Sequence, residues 1–137
     1  MENQKSQCPI NLSLEVFGDK WSLLIIRDLM FANKRYFGEF LQSEEKIASN
    51  ILTDRLNMLE EKGIITKAND PEHKLKYIYS LTKKGIDLLP IMTAIGAWGM
   101  NHQPYNEDIP CQAKKIMKGG KPILESMKKQ LVKLHLK

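Results

Sequence analysis

Apolar and polar positions change period several times along this chain, and the changes mark its elements. From Ser49 to Lys62 the apolar residues recur at helical spacing: Leu52, Leu56 and Leu59 fall on one side, with Ile51 and Met58 on its shoulder. Asn50, Thr53, Asp54 and Asn57 fall on the opposite side, and Arg55 lies to one flank. Ser49 is placed to accept the N–H groups left free at the helix start, and Gly63 to adopt the left-handed conformation that ends it. Two short strands are predicted next, 64–67 and 75–81. The turn between them runs from Asn69 to Lys74, where Pro71 presets a turn angle and Asn69 and Asp70 tolerate unusual ones.

The rest of the pattern is helical. Pro9 suits a first helical position, so Cys8 is the expected cap of a short helix running to Phe17, which Gly18 ends. Asp19 caps a second helix, Lys20 to about Phe31, whose apolar residues cover most of its circumference and predict burial on several sides. Tyr36 to Leu41 reads as a short helix with Phe37, Phe40 and Leu41 inward, and Ile47 as a core plug in an otherwise polar link. Thr82 caps one long helix through Met100, kinked at Pro90. Its apolar surface, with Leu88, Ile91, Met92, Ile95 and Trp98, exceeds what a compact domain covers and predicts a dimer interface. After a linker from Asn101 to Pro110, a last helix is expected from Ile123 to Leu136.

A helix with a polar outer face followed directly by a basic-tipped hairpin is the order of a winged helix-turn-helix. The expected fold is therefore mainly α with a small β-hairpin wing and with N- and C-terminal dimerisation helices. Residues 8–103 form the winged domain and 104–137 a basic C-terminal extension, partly helical. The expected partners are double-stranded DNA carrying two half-sites and a second copy of the chain. A small-molecule effector is compatible with this reading.

Charge sharpens the picture only locally. The net charge is +5, yet residues 1–103 hold 13 Lys plus Arg against 13 Asp plus Glu, and the tail holds 8 Lys against 3 acids. A neutral domain still binds DNA when its bases cluster on one surface, because phosphate neutralisation is local. On the reading helix, Asn50, Thr53 and Asn57 are the candidates for base edges: Asn pairs bidentately with adenine, and the Thr methyl meets a thymine methyl. Asp54 repels phosphate unless it accepts from cytosine or orients a neighbour, and Arg55 reaches either DNA or an acid within the domain. Lys34, Arg35, Lys46 and Ser49 are candidate phosphate contacts around the start of the helix. Lys67, His73, Lys74 and Lys76 are the bases of the wing. For each of these the plainer alternative is a solvated side chain.

Cys8 is the one position with candidate chemistry, because a thiol at a helix N-terminus has a lowered pKa and raised reactivity. The two cysteines, Cys8 and Cys111, make neither a disulfide framework nor a metal spacing. His73, His102 and His135 are scattered, so no metal site and no cofactor are expected. Trp21 and Trp98 are expected in core or dimer packing. The polar start MENQKSQ and the lack of a long apolar run predict a cytoplasmic protein without a membrane span.

The motifs also resemble those of the HxlR-type transcriptional regulators, winged-helix relatives of the MarR regulators. The matching pieces are CPI at Cys8–Ile10, GDKWSLLIIRDL at Gly18–Leu29 and YFGEF at Tyr36–Phe40. ILTDRLNMLEEKGII at Ile51–Ile65, YSLTKKGIDLLP at Tyr79–Pro90 and AWG at Ala97–Gly99 complete the set. The resemblance implies a homodimer whose reading helices enter successive major grooves with the wings alongside, and a Cys8 that senses oxidants or electrophiles. The wing departs from the family in carrying DPEHKLK where a proline pair is common, and the tail beyond Gln103 lies outside the resemblance.

Two readings from other classes compete. One is a winged helix that only docks another protein and never meets DNA. The other is a thiol enzyme built on Cys8, but no His or acid stands in an activating arrangement and no Gly-rich phosphate loop is present. A regulator rather than an enzyme is expected.

Overall fold

The computed structural model describes residues 6–108 and 120–136. In chain order it contains α1 (Pro9–Phe17), α2 (Lys20–Phe31), α3 (Phe37–Leu41), α4 (Ser49–Glu61), β1 (Ile65–Asn69), β2 (Tyr77–Leu81), α5 (Lys83–Ile86), α6 (Leu89–His102) and α7 (Lys121–His135). The fold is mainly helical with one antiparallel hairpin, in which Ile65 faces Leu81, Lys67 faces Tyr79 and Asn69 faces Tyr77. Cys111 and Gly119 lie outside the described residues.

The core gathers one face from nearly every element. Ile25, Ile26 and Leu29 of α2 meet Leu52, Leu56 and Leu59 of α4, and Phe40 closes the layer from α3. Ile64, Ile65 and Leu81 bring the base of the hairpin into the same cluster. Ile47 is buried as expected. Gly63 ends α4 with φ of +77°, a conformation that glycine adopts without a Cβ clash. Gly85 is needed for a different reason: a Cβ there collides with the carbonyl oxygen of Ile64, where α5 packs against the strand entry.

A polar group centred on buried Asp28 and Ser43 fixes the segment leading into α4 relative to α2. Asp28, on α2, takes the Arg27 guanidinium at 2.8 and 2.9 Å on one oxygen and the Ser43 hydroxyl on the other. Lys34 closes the group by donating to Ser43 at 2.9 Å, and Arg27 grips Glu45 bidentately at 2.7 and 2.9 Å. The turn before α3 and the turn before α4 are thus tied to one carboxylate. Arg27 holds the Glu45 carboxyl down to a pKa of about 2. Asp28→Ala leaves a cationic and hydroxyl cluster without its acceptor and is expected to cost about 3 kcal/mol of stability, as removing one partner of a buried pair does. Urea unfolding of the purified variant checks this.

Three expectations change at the C-terminal side. The single long helix from Thr82 is two helices: Thr82 does cap, accepting from the Gly85 N–H at 3.1 Å, but the chain breaks at Asp87–Leu88. Pro90 is then at the start of α6, where its missing N–H costs nothing, and no kinked helix is needed. Leu88 and Met92, expected at a dimer interface, are buried in this subunit's own core because the break turns them toward α2 and the hairpin base. The third change concerns the tail. α7 begins at Lys121, not Ile123, and docks on the domain, burying Leu131 in the common core.

His135 secures that docking. Its Nδ1 accepts the backbone N–H of Leu81 at 3.0 Å, so the ring is neutral. Burial, with the nearby Arg35 charge adding to it, lowers its pKa to about 4, against a small opposing pull from the Leu29 carbonyl. Between pH 6.5 and 4 the unfolded chain binds a proton that the folded ring refuses, so stability is full above 6.5 and falls as pH drops to 4. The expected loss is on the order of 3 kcal/mol at its limit. Urea midpoints across this range should fall for the wild type and stay flatter for His135→Gln, whose amide oxygen can still accept from Leu81.

Candidate nucleic-acid interface

The reading helix presents the face the sequence predicts. Asn50, Thr53, Asp54 and Asn57 are all exposed, while Leu52, Leu56 and Leu59 are buried behind them. Asn50 and Asn57 have amides engaged in no hydrogen bond among the described residues. The Thr53 hydroxyl donates back to the Ser49 carbonyl at 3.0 Å, which fixes its methyl on the outer face. Asp54 is partly neutralised by the Arg55 Nη1 at 2.6 Å.

Arg55 serves the domain. Its Nε donates to Asp19 at 2.9 Å, and Asp19 is also the cap of α2, accepting from the Ser22 N–H and hydroxyl. The one guanidinium therefore links the start of α2 to the middle of α4, and this pairing, of the two open to Arg55, orients the reading helix.

The start of α4 corrects the expected cap. Ala48 occupies the cap position with no side-chain hydrogen bond, and Ser49 is the first helical residue, exposed. The N–H groups there are consequently open to an anion, a free helix start being an anion site in itself. Lys46, in the preceding turn, is exposed with φ of +59° and stands beside that opening.

Lys34 and Arg35, expected at phosphates, are turned inward. Lys34 is spent on Ser43 and lies 3.6 Å from Asp28. Arg35 donates through Nε to the Tyr79 carbonyl at 2.6 Å and through Nη2 to the Ser80 hydroxyl, while the Tyr79 N–H returns a bond to the Arg35 carbonyl at 2.9 Å. Residue 35 thus acts as a short third rung on β2. The pull of the strand's backbone groups, 44 residues away, outweighs solvent exposure.

The wing stands beside α4 and encloses a cleft of about 720 Å³, lined by Thr53 and Asn57 on one side and by Lys67, Lys76 and Tyr77 on the other. Lys67 lies 4.2 Å from the centre of the Tyr77 ring, and Lys76 lies 5.5 Å from that of Tyr36. Both ammonium groups are thereby held near the cleft mouth. His73 and Lys74 are exposed at the tip. Leu75 is 99 % exposed, with a lysine on either side.

Sequence reasoning missed the residue that holds this wing. Asp70 is buried in the turn, where it accepts the Tyr36 hydroxyl at 2.6 Å and the Glu72 N–H at 2.9 Å, and the Tyr36 hydroxyl holds its pKa below the usual carboxylate range. It also missed Tyr77, whose only signal was its place two residues from Tyr79 on one strand face.

Away from this surface, Cys8 is exposed at the cap of α1, its thiol pKa lowered by the N–H groups of Asn11 and Ile10. Among the described residues no group of His, Cys, Asp or Glu is arranged to hold a metal ion, and no helix is long and apolar enough to cross a membrane.

A supporting helix, an outward polar helix and a hairpin wing in this order define a winged helix-turn-helix domain. The chain belongs to the HxlR-like helix-turn-helix family, whose model matches residues 16–107. An uncharacterized HTH-type transcriptional regulator of Synechocystis is 35 % identical over 92 residues, which is 67 % of this chain and 67 % of that protein. The HTH-type transcriptional regulator YodB of Bacillus subtilis is 34 % identical over 94 residues, covering 68 % of this chain and 83 % of its own. The redox regulator HypR in its oxidized form superposes with a TM-score of 0.62 at 32 % identity, over 72 % of this chain and all 100 % of that one. The protein is a transcriptional regulator with a helix-turn-helix domain.

Proposed function

We propose that two copies of this chain bind duplex DNA together, each placing the polar face of α4 in a major groove and its wing against the adjoining backbone. The observation that carries this reading is the pair of unengaged amides, Asn50 and Asn57, one full face of the helix apart from its buried leucines and beside a lysine-bearing wing. Asn50, Thr53 and Asn57 read base edges. The open start of α4, with Ser49 and Lys46, holds one phosphate, and Lys67, His73, Lys74 and Lys76 supply the salt-sensitive part of the affinity.

The dimer rests on exposed apolar surface. Ile95 and Trp98 on α6 are 48 % and 59 % exposed, and Ile10 and Leu14 on α1 are 71 % and 54 % exposed. Exposed apolar side chains on both of these helices are what a two-fold partner covers. A mobility-shift titration with the DNA upstream of the protein's own gene tests the reading. Binding that weakens steeply as salt rises supports it; a protein that shifts no fragment while remaining folded supports the docking-module alternative.

Cys8 is proposed as a sensor of oxidants or electrophiles, a reading to which the redox regulator HypR lends support. Its thiolate is favoured by the helix start, and its modification beside the dimer helices changes the angle between the two reading helices. The rate of Cys8 alkylation by iodoacetamide should rise with pH to a midpoint below that of an ordinary cysteine. DNA binding by Cys8→Ala should be normal and no longer respond to oxidant; a retained response removes Cys8 from the mechanism.

A further inference from the structure

The wing is sorted into two faces at its tip. Lys67, Leu75, Lys76 and Tyr77 line the cleft that opens toward α4, whereas Asp70, Pro71, Glu72 and His73 line the cleft on the other side of the hairpin. Both acids of the wing therefore stand on the face turned away from the reading helix. Two of its lysines stand on the face beside that helix, and Lys74 is exposed at the tip. A polyanion laid across α4 meets ammonium groups on the wing and no carboxylate.

Leu75 is the misfit on this face. At 99 % exposure it is the most exposed large apolar side chain among the described residues. The turn that carries it is tied at both ends. The Asp70 N–H donates to the Lys76 carbonyl at 3.0 Å, and the Lys76 N–H donates to the His73 carbonyl at 2.8 Å. The Asp70 carboxylate accepts from the Tyr36 hydroxyl and the Glu72 N–H below them. A fixed backbone thus holds an isobutyl group out in water, where it adds nothing to the packing of its own domain.

A leucine also adds nothing to phosphate binding, so its use lies in an apolar contact. With α4 in the major groove, the apolar surfaces left to the wing are the floor of the adjoining minor groove and the base faces bared when a step opens. Leucine is one of the side chains that enter such steps.

We propose that Leu75 is a wedge: it enters the minor groove beside each half-site, partly unstacks one base step and bends the duplex, with the wing lysines on the flanking phosphates. The proposal deepens the DNA-binding reading and rests on it. It also adds a source of specificity, because pyrimidine–purine steps open most readily. A TA or CA step is favoured there although no hydrogen bond reads it.

The test uses the full chain and a duplex that the wild-type chain selects from random sequence. One form carries a donor and an acceptor dye at its two ends; others carry 2-aminopurine in place of single adenines flanking the half-sites. Wild type should bend the duplex by at least about 20° and raise 2-aminopurine fluorescence at one step beside each half-site. Leu75→Ala breaks no internal contact and should melt at the wild-type temperature. It should bind about tenfold more weakly, leave the duplex nearly straight and leave 2-aminopurine quenched. Leu75→Met, another wedge-forming side chain, should restore the bend and the fluorescence. An alanine variant that bends the duplex as wild type does, or a wild type that binds without bending or unstacking, overturns the wedge and leaves the DNA-binding reading in place. A Leu75→Ala chain that changes its oligomeric state also overturns it, since the residue then belongs to a contact between copies. A folded chain that binds no duplex overturns both.

Discussion

Replacing Asn50 and Asn57 together by alanine is expected to lower affinity for the specific DNA site by two orders of magnitude or more while leaving the fold untouched. Each side chain is exposed and makes no hydrogen bond within the described chain, so neither substitution removes an internal contact. A good bidentate pair to a base is worth about 1–3 kcal/mol, and two such pairs in each of two subunits exceed the roughly 2.7 kcal/mol that a hundredfold loss requires. Non-specific binding at low salt should survive, since the wing lysines and the start of α4 are unaltered. Fluorescence anisotropy with the specific duplex and a scrambled one separates the two effects. An equal loss on both duplexes would mean that the two residues touch only the backbone.

The second large effect is on assembly. With two copies paired as proposed, Ile95→Asp with Trp98→Asp should leave a folded monomer. Both side chains are exposed on the single subunit, so the charges meet no core atoms of their own chain, but in an interface each carries an uncompensated charge into apolar surroundings. Leu88 and Met92 are unsuited to this experiment: they are buried, and changing them would unfold the subunit. Sedimentation equilibrium should report one subunit mass for the variant and two for the wild type. Loss of the second copy should also abolish retention on a two-site duplex, because a single winged domain keeps only half the contacts. A variant that stays dimeric moves the interface elsewhere, with α1 and its exposed Ile10 and Leu14 the next surface to change.

What the chain discloses by itself follows from the range of the interaction concerned. The faces of α4, the Asp19 cap and the glycine stop at Gly63 arise from residues within a few positions of one another and are where the sequence pattern puts them. The hairpin is present as expected, but its strands are Ile65–Asn69 and Tyr77–Leu81, so Asn69 pairs with Tyr77 and Leu75 and Lys76 belong to the turn. The misplacements share a longer range. Lys34 and Arg35 look like surface bases until Ser43 and Asp28 claim one and the carbonyl of Tyr79 claims the other. Leu88 and Met92 belong to a helical stripe by spacing, but the break before α6 redirects them. Asp70 reads as a turn former, and only the approach of the Tyr36 hydroxyl makes it an anchor. The docking of α7 is invisible for the same reason: Leu81 lies 54 residues from His135, and nothing local in either signals the other.

These inward-turned side chains bear on function through position. Arg55 and Asp28 are paired within the domain and Arg35 is turned onto β2, and together they fix α2 against its neighbours and β2 against the α2–α3 turn. Side chains that read bases need a rigid support to hold register on the duplex, and here it is supplied by paired charges at the edges of the core.

The most direct measurement is selection of random duplexes by the full chain, followed by hydroxyl-radical footprinting of the recovered sequence. The expected outcome is an inverted repeat whose half-sites are centred about one helical turn apart, roughly 10–11 base pairs, with protection repeated symmetrically about its middle. A single unrepeated protected stretch, or a pool that never enriches while the protein remains folded, would contradict it.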